Sequence, residues 1–194
     1  MAVMNAGYPI GLEVAPAASQ GRLGVFFRIL IAIPALIIAT LIRDVAQILV
    51  FISWLIILFT GKLPAGIGNF IAGALRWEVR VYAYLLLLTG KYPPFSLDDV
   101  ADYPVHVLVQ PQFEGRNRLT VFFRLIMVIP QAIVVYILAI VGAVVVFFGW
   151  LVALFTGSVP GGIHNFIAGV LRWSVRVEGY MYLLTDQYPP FSLS

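Results

Sequence analysis

A chain of 194 residues that is 61% hydrophobic and 11% charged lies far from soluble domains, in which about 25% of residues are charged, so lipid is the expected solvent. The net charge of +3 is small and the arginines sit inside apolar sequence, which argues against a nucleic-acid-binding protein. With no cysteine, disulfides, thiolate metal sites and haem attachment are excluded.

The first twenty residues hold one acidic residue, no lysine or arginine and no long apolar run. They therefore do not read as a cleavable signal peptide, and the first hydrophobic helix is expected to direct insertion. Residues 8–14 alternate apolar and other side chains with period two, as do residues 103–110. Each reads as a short strand, with Pro9 and Pro104 suited to a strand start or an edge. The two are expected to pair as a small surface ribbon at the membrane boundary.

Residues 22–42 are predominantly apolar and would span about 31 Å as a helix, close to the hydrocarbon thickness. Pro34, and Pro130 in a later segment, lie well inside such helices and are expected to kink them. Arg43 and Asp44 then interrupt, and residues 45–60 form a shorter apolar segment. In the second half, residues 119–155 hold no charge except Arg124. One straight helix over that length would measure about 56 Å, nearly twice the bilayer core, so a helical hairpin turning near Gly142 is expected. Gly61 and Gly157, each followed three residues later by proline, read as C-terminal helix caps.

The segment from Gly66 to Val81 returns from Gly162 to Val177, and the offset of 96 holds without a gap from Arg22 and Arg118 to Leu97 and Leu193. The chain is thus a tandem duplication, with units 1–98 and 99–194. In each unit Asn69 or Asn165 suits an N-cap before a third helix, over about 70–88 and 166–184. One face of that helix is apolar; another carries Arg76 and Arg80, or Arg172 and Arg176. Trp77, Trp173, Tyr92 and Tyr188 are expected to anchor at the membrane interface. Asp98, Asp99 and Asp102 mark the linker.

The fold expected is an all-α membrane protein in which each unit is a transmembrane hairpin plus an amphipathic interfacial helix, with short N-terminal strands. Eleven of the twelve basic residues would then share one side, which the positive-inside rule places in the cytoplasm with both termini. Because Arg22 and Arg28 match Arg118 and Arg124, parallel units are favoured over an inverted six-span arrangement.

The motifs Phe26-Phe27-Arg28 with Pro34, Trp54-Leu55 with Leu58-Phe59-Thr60-Gly61, Asn69-Phe70, Leu75-Arg76-Trp77 followed after one variable residue by Val79-Arg80-Val81, and Tyr92-Pro93-Pro94-Phe95-Ser96-Leu97 recur with the 96-residue offset. Together they resemble the bacterial membrane family catalogued as domain of unknown function 4389, over nearly the whole chain and twice. The resemblance implies an integral protein of the bacterial inner membrane and supplies no catalytic residues.

Arg28, Arg76, Arg80, Arg124, Arg172 and Arg176 are the candidate site. Arg76 and Arg80 stand four apart on one face, where like charges repel and a bound anion relieves them. A guanidinium fork suits phosphate, so an anionic-lipid headgroup or an acidic partner subunit is the expected ligand. The alternative is that these arginines snorkel to the headgroups and set topology. His106 and His164 lack the convergent donors of a metal site. No nucleophile, phosphate-loop or zinc-protease motif occurs, so neither enzyme activity, metal nor cofactor is expected. The expected role is an accessory or scaffold subunit of a membrane complex; a small-solute or lipid transporter is the alternative.

Overall fold

The computed structural model describes residues 7–194. Residues 1–6, part of the segment read as lacking a signal peptide, lie outside the described residues. In chain order the elements are β1 (Ile10–Val14), α1 (Arg22–Phe26), α2 (Arg28–Thr60), α3 (Ala65–Leu85), β2 (Val105–Val109), α4 (Arg118–Phe122), α5 (Arg124–Thr156) and α6 (Gly161–Met181).

The expected hairpins are replaced by single helices. Each of α2 and α5 runs for 33 residues, about 50 Å. The turn anticipated at Arg43-Asp44 is absent because neither residue breaks a helix, and Arg43 folds inward to Glu78 at 3.5 Å. At Gly142 the helix also continues, since one glycine costs a helix only about 1 kcal/mol. Both prolines are carried inside the helices. The break in the helical run falls instead at Phe27 and Phe123, which adopt φ −88° with ψ near 8°. At the other end Gly61 (φ 70°) and Gly157 (φ 81°) take the left-handed conformation and donate to the carbonyls of Ile57 and Ala153, as expected of C-caps.

Among the described residues two helices, α2 and α5, are long and apolar enough to cross a membrane. Along α2 the buried side is narrow and small: Ala32, Ala35, Ala39, Ala46, Ser53 and Ile57, at spacings near three, four and seven. Small residues on that seam let α2 lie close against α3. The rest of the circumference is apolar and exposed, as in Ile29, Leu41, Phe51 and Phe59, and α5 repeats the pattern with Leu125, Ile133, Phe147 and Phe155.

The third helices form the centre of the molecule and do not lie free at an interface. Ile71, Leu75 and Val79 of α3 join Ile167, Leu171 and Val175 of α6 in one core, closed by Ile10, Leu12, Val105 and Val107 of the ribbon. β1 and β2 do pair, antiparallel, with Leu12 opposite Val107, but one face of the ribbon is buried. Neither asparagine caps: α3 and α6 begin after Pro64 and Pro160, which places Asn69 and Asn165 inside the helices.

The two repeats run in opposite directions. The Trp54 indole, near the end of α2, donates to the Val121 carbonyl at 3.1 Å, and Trp150, near the end of α5, donates to Val25 at 3.0 Å. The tip of each repeat therefore rests on the entry of the other, and α2 and α5 are antiparallel. The expectation of parallel units places Arg22, Arg28, Arg118 and Arg124 together at one membrane face; Arg22 and Arg118 are exposed, but Arg28 and Arg124 are buried within the fold.

Candidate functional site: buried arginines and a shared carboxylate pair

After α3 the backbone turns at Leu87, after α6 at Leu183, both at positive φ. The Tyr-Pro-Pro-Phe tail then runs back along its own helix, stacking Tyr92 on Tyr84 and Phe95 on Trp77. Tyr188 and Phe191 repeat this on Tyr180 and Trp173. Close return is possible because Gly73 and Gly169 face Leu97 and Leu193; a Cβ at Gly73 would lie 2.9 Å from that of Leu97. Trp77 and Trp173 are buried, which corrects their reading as interfacial anchors, while Tyr92 and Tyr188 are half-buried beneath the tails.

All six candidate arginines are engaged by backbone carbonyls of the chain itself. Arg28 and Arg124 are buried at the C-terminal ends of α3 and α6. The guanidinium of Arg124 donates to the carbonyls of Tyr180 (2.6 Å) and Thr185 (3.0 Å) and lies 4.3 Å from the Tyr180 ring centre. Arg28 does the same with Tyr84 and Thr89, over the Tyr84 ring. A cation at a helix C-terminus satisfies orphan carbonyls and opposes the helix dipole. Arg80 holds the first tail through Ser96 and Asp98, and Arg176 holds the second through Ser192 and Ser194. Arg76 and Arg172 hold the ribbon, donating to Val107 (3.3 Å) and Leu12 (3.0 Å). The six thus form three pairs related by the repeat, Arg172 alone adding a bond to the Leu193 carbonyl at 2.9 Å beside the tail contacts of Arg176, and they do not converge on one open anion site. Burial depresses the proton affinity of Arg80 and Arg176.

The repeats balance the first of these arginines differently. In the first, Gln20 accepts from Arg28 and donates to the Leu87 carbonyl at 2.8 Å. In the second, Arg116 stands in place of Gln20 and donates to Leu183 at 2.7 Å; Asp186 stands in place of Gly90 and accepts from Arg116 (2.7 Å) and Arg124 (2.5 Å). The carboxylate exists where the extra guanidinium exists.

A second polar cluster lies between α3 and α6. The carboxyls of Glu78 and Glu178 lie within reach of each other, with Tyr82 beside Glu78 and Tyr182 beside Glu178. Arg43 closes the cluster from α2. Burial pushes both carboxyls up; for Glu178, with the Glu78 charge adding to it, the result is about 8. Sequence comparison at equivalent positions misses this pair, because Glu178 stands one turn beyond the counterpart of Glu78. A search allowing a shift of four residues on the same helical face finds it.

His106 pairs with Asp99 at 3.1 Å, and Asp99 also approaches Arg80 at 3.9 Å. His164 is buried, with Nε2 3.2 Å from the Leu88 carbonyl. A groove of about 260 Å³ opens beside α2, lined by Gln47, Phe51, Trp54, Arg124, Leu125 and Met181.

The family model described as a domain of unknown function (DUF4389) matches residues 22–96 and again residues 118–192. The chain belongs to the DUF4389 family. Each DUF4389 unit covers one α1–α3 or α4–α6 set together with its returning tail, and the matches leave both strands outside. No curated protein and no solved structure matches the chain.

Proposed function

We propose that this tandem DUF4389 protein is a non-enzymatic, multi-pass protein of the cell membrane that acts as an accessory or scaffold subunit, with lipid and a membrane partner contacting α2 and α5. One observation carries the reading: both helices present apolar side chains around most of their circumference, including Phe51, Phe59, Phe147 and Phe155, far beyond the few hundred Å² that water-exposed surfaces tolerate. At about 50 Å each helix exceeds the roughly 30 Å hydrocarbon core and must tilt or project. The groove beside Trp54 supports lipid contact, with an apolar wall of Phe51, Trp54, Leu125 and Met181 for a chain. Tyr8 reaches the Arg176 carbonyl and Arg176 reaches Ser194, so the described ends of the chain lie together. That supports placing both on the same side of the membrane.

A transporter is the second reading, favoured by the Glu78–Glu178 pair between the repeats, since carboxyls whose proton affinity is raised suit proton coupling. The deciding experiment is purification from native membranes in mild detergent, followed by flux measurement after reconstitution. Stoichiometric partner proteins and no solute or lipid flux are expected. Flux abolished by Glu178→Gln would replace the scaffold with a carrier, and release of the protein from membranes by alkaline carbonate would refute both.

A further inference from the structure

Most charges in the long helices are duplicated: Arg28, Arg76 and Arg80 recur as Arg124, Arg172 and Arg176. Asp44 apart, the charges without a like counterpart are Arg43, Glu78 and Glu178, which the offset matches to Ala139, Ser174 and Tyr82. All three meet at one point. α3 packs against α6 with Glu78 and Glu178 within reach of each other, and two carboxyls that close can share a hydrogen bond only when one of them carries a proton.

We propose that Glu78 and Glu178 hold one proton between them as a pH-sensitive latch joining the two repeats. With the proton in place the pair is a neutral acid bonded to a carboxylate, and Arg43 balances the single remaining charge at 3.5 Å. When the proton leaves, two carboxylates face each other across the contact, with one guanidinium between them and solvent. Among the described residues the groups facing the pair are Arg43 from α2, Tyr82 from α3 and Tyr182 just past α6; Asp44 lies beside Arg43. Both tyrosines are held protonated, by burial first and then by the carboxylates themselves, and serve as hydrogen-bond donors. Proton loss therefore falls on the carboxyl pair.

The direction follows from the raised proton affinity. A carboxyl shifted from 4.5 to about 8 on folding contributes stability that is complete below 4.5, declines as pH rises and is gone above about 8. The latch is closed in mildly acidic solution and opens on the alkaline side, opposite to the usual acid lability of ion-paired carboxylates. The inference holds whether the protein is a scaffold or a carrier.

The chain has four glutamates, Glu13, Glu78, Glu114 and Glu178, so isotope-edited infrared spectroscopy of carboxyl-labelled glutamate is selective. The expected result for the full chain in detergent is a protonated glutamate band that persists at about pH 6, where ordinary glutamates are ionised, and disappears with a midpoint near 8. Glu178→Gln should remove the band, and Arg43→Ala, which installs the residue of the second repeat, should move its midpoint upward. Hydrogen exchange in α3 and α6, corrected for intrinsic rates, should accelerate above the midpoint in the wild type and stay level in Glu178→Gln. Glu78→Gln supplies the same readouts should Glu178→Gln fail to fold. Absence of the band at about pH 6, a band indifferent to both substitutions, or a titrating band with no change in exchange would each overturn the latch.

Discussion

If the two repeats solve one burial problem in two ways, exchanging the solutions should be tolerated while half an exchange should not. The test is Asp186→Gly, Arg116→Gln and their combination, which give the second repeat the Gly90 and Gln20 of the first. Asp186 accepts from Arg116 at 2.7 and 3.0 Å, from Arg124 at 2.5 Å and from the Asn117 amide at 2.8 Å, and the Arg116 side chain is fully buried. Removing the carboxylate alone leaves two guanidiniums without their counter-charge, a change that costs about 3–5 kcal/mol when one partner of a buried pair is lost. Arg116→Gln alone preserves a donor to Leu183, as Gln20 does for Leu87, and leaves Asp186 bonded to Arg124 and Asn117. That loss is the paired contact with Asp186 and the bond to the Gln112 carbonyl at 2.9 Å, at least the roughly 1.5–3 kcal/mol of one hydrogen bond to a charged group. In the double variant the introduced glutamine can accept from Arg124 as Gln20 accepts from Arg28, so the net cost should fall to about 1 kcal/mol, leaving a coupling of at least about 3.5 kcal/mol, beyond the roughly 0.5–3 kcal/mol usual for residues in contact. Thermal unfolding of the four proteins in one detergent measures it. Asp186→Gly should lower Tm by about 10 °C, taking roughly 2–4 °C per kcal/mol for a chain of this size, and the added Arg116→Gln should restore most of it. Additive losses would refute the compensation. Burial alone would raise the Asp186 carboxyl, but the Arg116 and Asn117 hydrogen bonds and both guanidiniums hold it below its ordinary value of 3.8. The wild-type contribution is therefore complete above that value and lost as pH falls through the lower folded value.

Two further outcomes follow from particular contacts. Gly142→Ala should raise stability by about 0.8–1.0 kcal/mol, because α5 is continuous there, a Cβ meets nothing within 4 Å among the described residues and Ala46 already fills the equivalent position; a loss in thermal unfolding would mean that the chain turns at Gly142. Trp173→Phe should cost about 1 kcal/mol more than Trp77→Phe, because the Trp173 indole donates to the buried Gln131 at 2.8 Å while that of Trp77 has no partner among the described residues; equal losses in the same assay would remove the role given to Gln131.

The repeat, the paired strands, the glycine caps and the third helices are legible because each rests on local chemistry: an offset, a period of two, a left-handed glycine, a proline stop. The long continuous helix is not, because the warrant for a hairpin is bilayer thickness, and thickness limits a helix only when the whole helix must lie within the hydrocarbon. The asparagine caps fail for a related reason. Pro64 and Pro160 start α3 and α6 earlier, proline being well placed at a helix start, so Asn69 and Asn165 arrive after the helix is under way.

The arginines are misplaced by the same step that identifies lipid as the solvent. Apolar surroundings in sequence are there equated with a membrane boundary in space, whereas Arg28, Arg80, Arg124 and Arg176 are surrounded by carbonyls that only the folded tails and helix ends supply. Those carbonyls come from residues 16 to 61 positions away, beyond the reach of a helical wheel. One signal is nevertheless present: each arginine recurs with its tail, so arginine and tail were duplicated as one unit. Positions that the duplication kept serve both within a repeat, as Arg80 and Arg176 do on their tails, and between repeats, as Trp54 and Trp150 do on Val121 and Val25. Among the divergent charges, Arg116 and Asp186 meet Arg124 inside the second repeat, whereas Arg43, Glu78 and Glu178 lie where the two repeats touch, so there the departure from symmetry acts on the contact between them.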